Sequence, residues 1–350
     1  MSLLLKKRFL VEPTSSGLYC SLGGFYIDPL RIVDKALITH GHSDHARPNM
    51  KSYLTSKVGS KIVKERVGKK SKVEELPYGQ KLKIKDVIVS FHPSGHILGS
   101  SQIRIEHKGY VSVVTGDYKI SSDNSCHAFE LVKCHELISE STFAKPFYKW
   151  PNTKEVFSGI NSWWFNNTQK GITSLIFAYS LGKSQRLLCG LDPSIGPIGV
   201  HASVEKFNDY YRDAGRPIPN TINASRNNKH LLVGSGLIIA PPSVRRSNWL
   251  NQFAPLSLSF ASGWMLDKGN IERKKLDRGF VLSDHADWGE ILNTINHSGA
   301  SRIGLIHGST KVLADWLKMN TQSEIYEFKL NNLKIKKYDK RQTSFLKKLT

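Results

Sequence analysis

Short apolar runs separated by glycine and polar loops fill the first part of the chain. Phe25-Tyr26-Ile27 follows Gly23-Gly24, Lys81-Leu82-Lys83-Ile84 follows Tyr78-Gly79, and Lys108-Gly109 divides two runs that read as a hairpin. This pattern predicts antiparallel strands up to roughly Lys170. From Thr173 strand and helix alternate: Ser174-Leu175-Ile176-Phe177-Ala178, a helix over 183–188, Ile198-Gly199-Val200, then a helix over 203–214 stopped by Gly215. Such alternation predicts a small parallel α/β domain. After about Arg278 the earlier style returns, with helices over 288–296 and 311–319 flanking the run that ends at His307. A parent domain over 1–170 and 278–350, with a second domain over 171–277 inserted into it, accounts for that order.

The residues that close these runs carry the chemistry. His40-Gly41-His42-Ser43-Asp44-His45 follows the apolar Ala36-Leu37-Ile38. Three imidazoles and a carboxylate in six residues are costly to desolvate together without a cation between them, so a metal site is the natural reading. Imidazole with carboxylate suits zinc best, and manganese or iron stay open because ligand softness alone does not separate them. His96 follows the strand-like 86–91, and Asp117 follows Val111-Ser112-Val113-Val114. Glu140 closes Leu137-Ile138-Ser139, His285 closes 280–284, and His307 closes Ile303-Gly304-Leu305-Ile306. One such residue is ordinarily a satisfied polar group. Six of them after apolar runs follow the site logic of α/β folds, where ligands bind beyond strand ends.

Composition adds a partner. The 350 residues hold 50 Lys plus Arg against 29 Asp plus Glu, a net charge of +21. That excess creates a field that concentrates polyanions, nucleic acid foremost. Lys334, Lys336, Lys337, Lys340, Arg341, Lys347 and Lys348 crowd the end of the chain with only Asp339 opposing, as phosphate contacts or as a solvated terminus. No apolar run approaches a membrane span, and the N-terminus puts its apolar stub before its basic residues, the reverse of a secretory signal, so a cytoplasmic location is expected. Cys20, Cys126, Cys134 and Cys189 lack CxxC spacing, which leaves reduced, buried thiols as the expectation.

The string HxHxDH, then Gly95-His96-Ile97-Leu98-Gly99-Ser100, then Gly116-Asp117-Tyr118, resembles the metallo-β-lactamase superfamily. Glu140-Ser141-Thr142, Ser283-Asp284-His285-Ala286-Asp287 and Ile306-His307-Gly308-Ser309 look like motifs A, B and C of its β-CASP nuclease branch. More narrowly, Phe25-Tyr26-Ile27-Asp28-Pro29, the 177–183 stretch, the 191–197 stretch and Ala261-Ser262-Gly263-Trp264-Met265 are similar to bacterial ligase-associated DNA exonucleases. The resemblance implies an αββα sandwich with an inserted β-CASP α/β domain capping its metal cleft. It implies one zinc on His40, His42 and His96, a second on Asp44, His45 and His307, and Asp117 bridging both. Two such ions can activate a shared hydroxide for in-line attack at phosphorus. The resemblance also implies that His285 is the general acid, with Glu140 orienting the imidazole and favouring its protonated form. Asp287 reads mainly as the cap of the helix that follows.

Lys183, Gln185 and Arg186 follow a strand and could put cations on phosphates, or they form a solvated helix face. Ser180 and Ser262-Gly263 would line the same groove. Trp163-Trp164 in a helical stretch reads as core rather than as a stacking platform. His307 at motif C favours RNA, as in processing factors of mRNA 3′ ends, whereas the chain-wide similarity favours DNA and partnership with a DNA ligase and helicase. The longer match outweighs the single position. The rival classes are a small-molecule metallohydrolase, which the charge and the insertion disfavour, and a silent binding scaffold, which the intact ligand set disfavours.

Overall fold

The computed structural model describes residues 9–329 and 334–337. Met1 to Arg8 and the tail positions Lys340, Arg341, Lys347 and Lys348 lie outside the described residues. The chain forms two compact units, one from Met1–Ser122, His127–Lys149 and His285–Thr350, the other from Asp123–Cys126 and Trp150–Asp284.

The first unit opens with a six-stranded sheet in sequential order: β1 (Glu12–Thr14), β2 (Gly17–Cys20), β3 (Phe25–Ile27), β4 (Lys35–Ile38), β5 (Ser52–Ser56) and β6 (Val73–Leu76), with helix α1 (Ser60–Val67) between the last two. A second sheet starts with β7 (Leu82–Ile84), β8 (Val87–Pro93), β9 (Ser101–His107), β10 (Tyr110–Val114) and β11 (Glu136–Glu140). Between β9 and β10, Lys108 and Gly109 both have positive φ, 48° and 81°, the pair a type I′ hairpin turn requires.

The chain then builds the second unit. Its helices are α2 (Thr153–Thr168), α3 (Lys183–Leu188), α4 (Ala202–Asp213) and α5 (Gly269–Arg273). Its strands are β12 (Thr173–Phe177), β13 (Ile198–Val200), β14 (Ile222–Asn223), β15 (Leu237–Ala240), β16 (Leu256–Ala261) and β17 (Arg278–Phe280), paired in parallel throughout in the order β14-β13-β15-β12-β16-β17. The unit is wider than the run pattern predicts at both ends. Helix α2 buries Ile160, Trp163 and Trp164 and packs on β12, so it belongs here rather than to the parent. At the other end β17 pairs with β16. Leu175, Phe177, Ile238, Phe253 and Met265 make its core.

The chain returns through α6 (Trp288–Ser298), β18 (Arg302–Ile306), α7 (Thr310–Asn320), β19 (Glu324–Lys329) and β20 (Lys334–Lys337), completing the order β20-β19-β18-β11-β10-β9-β8-β7. Strand alternation then builds the layers. Leu37 and Ile138 face the core between the two sheets. Ala36 and Ile38, one residue either side of Leu37, pack instead with Val63 and Val67 of α1. Val111, Val113, Leu137, Ile303 and Leu305 pack with Ile291 and Ile295 of α6 and Leu313 and Leu317 of α7. The order is helix, sheet, sheet, helices.

This unit is not antiparallel throughout. Strands β3 to β6 are parallel neighbours, as are β10, β11, β18 and β19. Because β8 and β10 both run opposite to β9, the carboxyl ends of β8, β10, β11 and β18 share one edge. Among the described residues no helix is long and apolar enough to cross a membrane. All four cysteines are free; three are buried and Cys189 is half-buried. Burial pushes their thiols up, to about 11 at Cys20 and about 12 at Cys134.

Candidate metal centre

Loops leaving that edge, the loop after β4 and the segment before α6 bring the run-closing residues together within the first unit. Donor atoms of His40, His42, His96 and Asp117 all lie within 4.8 Å of one another. His42 Nδ1 is 3.0 Å from His40 Nε2 and 3.1 Å from His96 Nε2, while Asp117 Oδ2 is 3.5 Å from His40 Nε2 and 3.7 Å from His96 Nε2. His45 Nε2 faces the same carboxylate at 3.5 Å and Asp44 at 3.8 Å. His40, His45, His96 and Asp117 are buried, whereas the Asp44 side chain is 74 % exposed. His307 is exposed and reaches the group least closely, its ring centroid 6.0 Å from that of His45.

Hydrogen bonds behind the cluster fix which ring nitrogens point inward. Asp28 Oδ2 accepts from His45 Nδ1 at 2.7 Å and from the Thr39 hydroxyl at 2.6 Å. Having given its proton to Asp28, that hydroxyl can only accept from His40 Nδ1, 3.0 Å away. The Nε2 of His40 is left as a bare lone pair facing Asp117. Burial, then the positive charge of His45, pushes the His40 imidazole well below its usual value. Against the burial that pulls it down, Asp117 and Asp28 hold His45 protonated far above its usual value. Burial likewise pushes Asp117 up, but His45 and His285 hold it well below the usual carboxylate range. A divalent cation fits this donor set, because it would supply the positive charge that the inward lone pairs and the carboxylate call for. Asp28 and Thr39 were not singled out from sequence as supports. Asp28 nonetheless closes Phe25-Tyr26-Ile27 just as the ligands close their own runs.

Two glycines hold ligand loops where no side chain fits. Gly116, with φ of 56°, places the Asp117 loop where a Cβ would come 2.8 Å from Thr39 Cβ; at Gly308, φ 63°, a Cβ would come 2.2 Å from the Ser141 carbonyl oxygen.

Glu140 and His285 form a second group with Asp117, their donor atoms within 4.8 Å of one another. His285 Nδ1 is 3.0 Å from both carboxylate oxygens of Glu140, which is 1 % exposed and also accepts from Tyr118 N at 2.9 Å. The His285 ring lies 4.7 Å from that of His96, centroid to centroid. A carboxylate only accepts, so Nδ1 carries a proton and Nε2 is left for other work. Two residues on, Asp287 caps α6 with Glu290 in a reciprocal capping box.

Lys183 and Arg186, expected as cations for phosphates, are buried inside the second unit and already engaged. Lys183 Nζ is 2.5 Å from Asp284 Oδ1 and donates to Leu282 O at 3.0 Å. Arg186 Nε is 2.6 Å from Asp123 Oδ2, and its Nη1 donates to Ser283 O at 2.6 Å. A buried cation is stable only with such partners, so neither lies on a solvated helix face. Trp163 and Trp164 are core.

No protein-family model matches the chain. It is 30 % identical over 306 residues to a "Probable DNA ligase" of Opitutus terrae, covering 87 % of this chain and 30 % of that protein. It is also 30 % identical over 127 residues to "RNase aCSPSF2" of Saccharolobus solfataricus, covering 35 % of this chain and 25 % of the relative. The chain thus spans less than a third of either relative. The crystal structure of a protein of unknown function from Enterococcus faecalis V583 shares the fold, with a TM-score of 0.60 at 13 % identity over 87 % of this chain and 81 % of that one. With these relatives behind the His/Asp cluster, the chain belongs to the metallo-β-lactamase superfamily, in its β-CASP branch.

Proposed function

We propose that the chain is a metal-dependent phosphodiesterase acting on nucleic acid, most specifically a DNA exonuclease that serves beside a DNA ligase and helicase in repair in the cytoplasm. The observation that carries the reading is the Glu140–His285 pair set against the His40, His42, His96 and Asp117 cluster. In this reading the second unit is the inserted β-CASP domain. His40, His42 and His96 would hold one ion and Asp44, His45 and His307 the other, with Asp117 available to both; zinc suits the donors best, with manganese open. When bound, the ions supply an activated water near neutral pH and stabilise charge at the phosphorus.

The protein's own groups do the rest. Asp28 and Thr39 keep His45 and His40 turned with Nε2 inward. Glu140 holds His285 by Nδ1, so Nε2 can deliver a proton to the departing sugar oxygen. Attack by water with loss of the 3′ oxygen leaves 5′-phosphate and 3′-hydroxyl ends, which a ligase can join. The DNA preference is supported by the ligase relative, matched over most of this chain. His307 and the RNase relative favour the second reading, an RNA-processing nuclease.

The test incubates metal-replete protein with end-labelled single-stranded DNA, duplex DNA and matched RNA, alongside a lactam and a thioester. Nucleotide release from DNA is expected. Much faster release from RNA overturns the repair role, and turnover of only the lactam or thioester overturns the nuclease.

A further inference from the structure

Lys183 and Arg186 are committed to internal carboxylates, so a polyanion needs other cations, and the second unit displays a group of them. A cavity of about 410 Å³ is lined by Arg245, Arg246, Arg273, Lys274 and Lys275 with Phe177 and Phe260. Arg273 is offset by Asp267 at 2.8 Å. Among the described residues no carboxylate lies within ion-pair distance of Arg245, Arg246, Lys274 or Lys275. A smaller cavity of about 160 Å³ adjoins it through Phe260 and Lys274 and is lined by Tyr179 and Trp264, which are 58 % and 48 % exposed.

The position is that of a built site. The lining follows the carboxyl ends of β15, β12 and β16, three adjacent parallel strands, and the chain crosses from one side of β12 to the other between β15 and β16. In open parallel sheets ligands bind in the crevice beyond such ends. The Arg245 guanidinium sits over the Phe177 ring at 6.0 Å and donates to Lys274 O, and Lys274 Nζ sits over Phe260 at 5.6 Å, so aromatic faces hold both charged groups at the cavity. Lys275 has φ of 42°, a left-handed conformation that costs any residue but glycine. It stands just past α5, where glycine is the usual choice, yet a lysine occupies it.

We propose that Arg245, Arg246, Lys274 and Lys275 bind the phosphates of a single-stranded nucleic acid while Tyr179 and Trp264 stack its bases, making the second unit a binding site in its own right. Paired bases present no open faces to an aromatic ring, so the two exposed rings select a single strand over a duplex. This rests on the reading of the chain as a nucleic-acid enzyme and adds the residues that hold the strand.

The test uses the full chain and fluorescent, nuclease-resistant phosphorothioate 12-mers of thymidine and uridine, with binding read by anisotropy across a salt series. Lys275→Gly relieves the left-handed backbone, so the melting temperature should hold or rise while the slope of log affinity against log salt falls by about 0.7, the contribution of one phosphate on a single strand. Tyr179→Ser with Trp264→Ser should weaken binding roughly tenfold or more. Wild-type affinity and slope in both variants overturn the proposal, as does a loss confined to a blunt duplex. A wild-type chain that cleaves nucleic acid while the variants bind normally sinks this site and leaves the nuclease reading standing. A chain that cleaves none, with binding weakened as expected, does the reverse.

Discussion

At the scale of single residues, the site is a set of ligands held from behind. Removing Asp117 takes away a carboxylate that faces His40, His45 and His96 together, so Asp117→Ala should lower the content of both metals. His307→Ala should lower only one, given how loosely that ring joins the group. Elemental analysis after dialysis separates them, and equal retention by the two variants contradicts the assignment. Asp28→Ala leaves every ligand in place yet frees the His45 ring, so a loss of roughly 10- to 100-fold in metal affinity is expected by competition with a chelator. His285→Ala should keep its metal and slow cleavage of DNA by about 10² to 10⁴. A nitrophenyl phosphodiester, whose leaving group needs no proton, should be slowed far less; equal slowing means His285 is not the acid. The cluster of His40, His42, His96 and Asp117 was legible in the sequence because its residues follow apolar runs. Asp28 was legible by the same signal, but its role depends on Thr39 donating to it, a three-dimensional fact. Lys183 and Arg186 misled because a cation at the start of a helix looks alike whether it meets solvent or a buried carboxylate.

At the scale of elements, strand β11 carries a buried carboxylate at each end, and the two differ. Glu140 faces His285. Glu136, at the other end, accepts from Leu10 N at 3.1 Å and Ser112 Oγ at 2.7 Å, and pairs with Arg302 at 3.3 Å. Burial outweighs those donors and lifts its carboxyl to about 7. The folded state therefore holds the Glu136 proton more tightly than the unfolded chain does, so this contribution to stability is full below about pH 4.5 and is lost as pH rises to 7. The span corresponds to about 3 kcal/mol at most. In denaturant titrations across that range, the wild type should lose stability relative to Glu136→Gln as pH rises. A constant difference would mean that Glu136 is ionised throughout. Helices α3, α4, α6 and α7 were readable from periodicity within a residue or two, whereas α1 and α5 were not. The parallel pairing of β3 to β6 was not, because an alternating run looks the same whichever way its neighbour points. The start of the second unit was hidden for a related reason: α2 follows a β-rich stretch but packs on a strand that comes after it.

At the scale of the whole molecule, the first unit is made from segments far apart in the chain, and one hydrogen bond marks where they meet. Trp288 N donates to Tyr148 O at 3.2 Å, joining the residues just before and just after the Trp150–Asp284 excursion. In chain-entropy terms, the first unit must close a loop as long as the whole second unit before β18 can lie beside β11. If that loop is unstructured, closing it costs on the order of 4 kcal/mol. If the loop has already folded with its ends together, most of that cost is gone. Phe253→Ala empties a core position of the second unit, yet it should speed amide exchange in β10 and β11 of the first. Replacing 150–284 by a short glycine-serine link should restore the protection, because the shortened loop no longer has to be held shut by a fold of its own. Unchanged exchange in the Phe253 variant would show that the two units close independently. The second unit thus acts on its host as a tether whose length is set by its own stability, and metal loading at the strand ends should follow that stability as temperature rises.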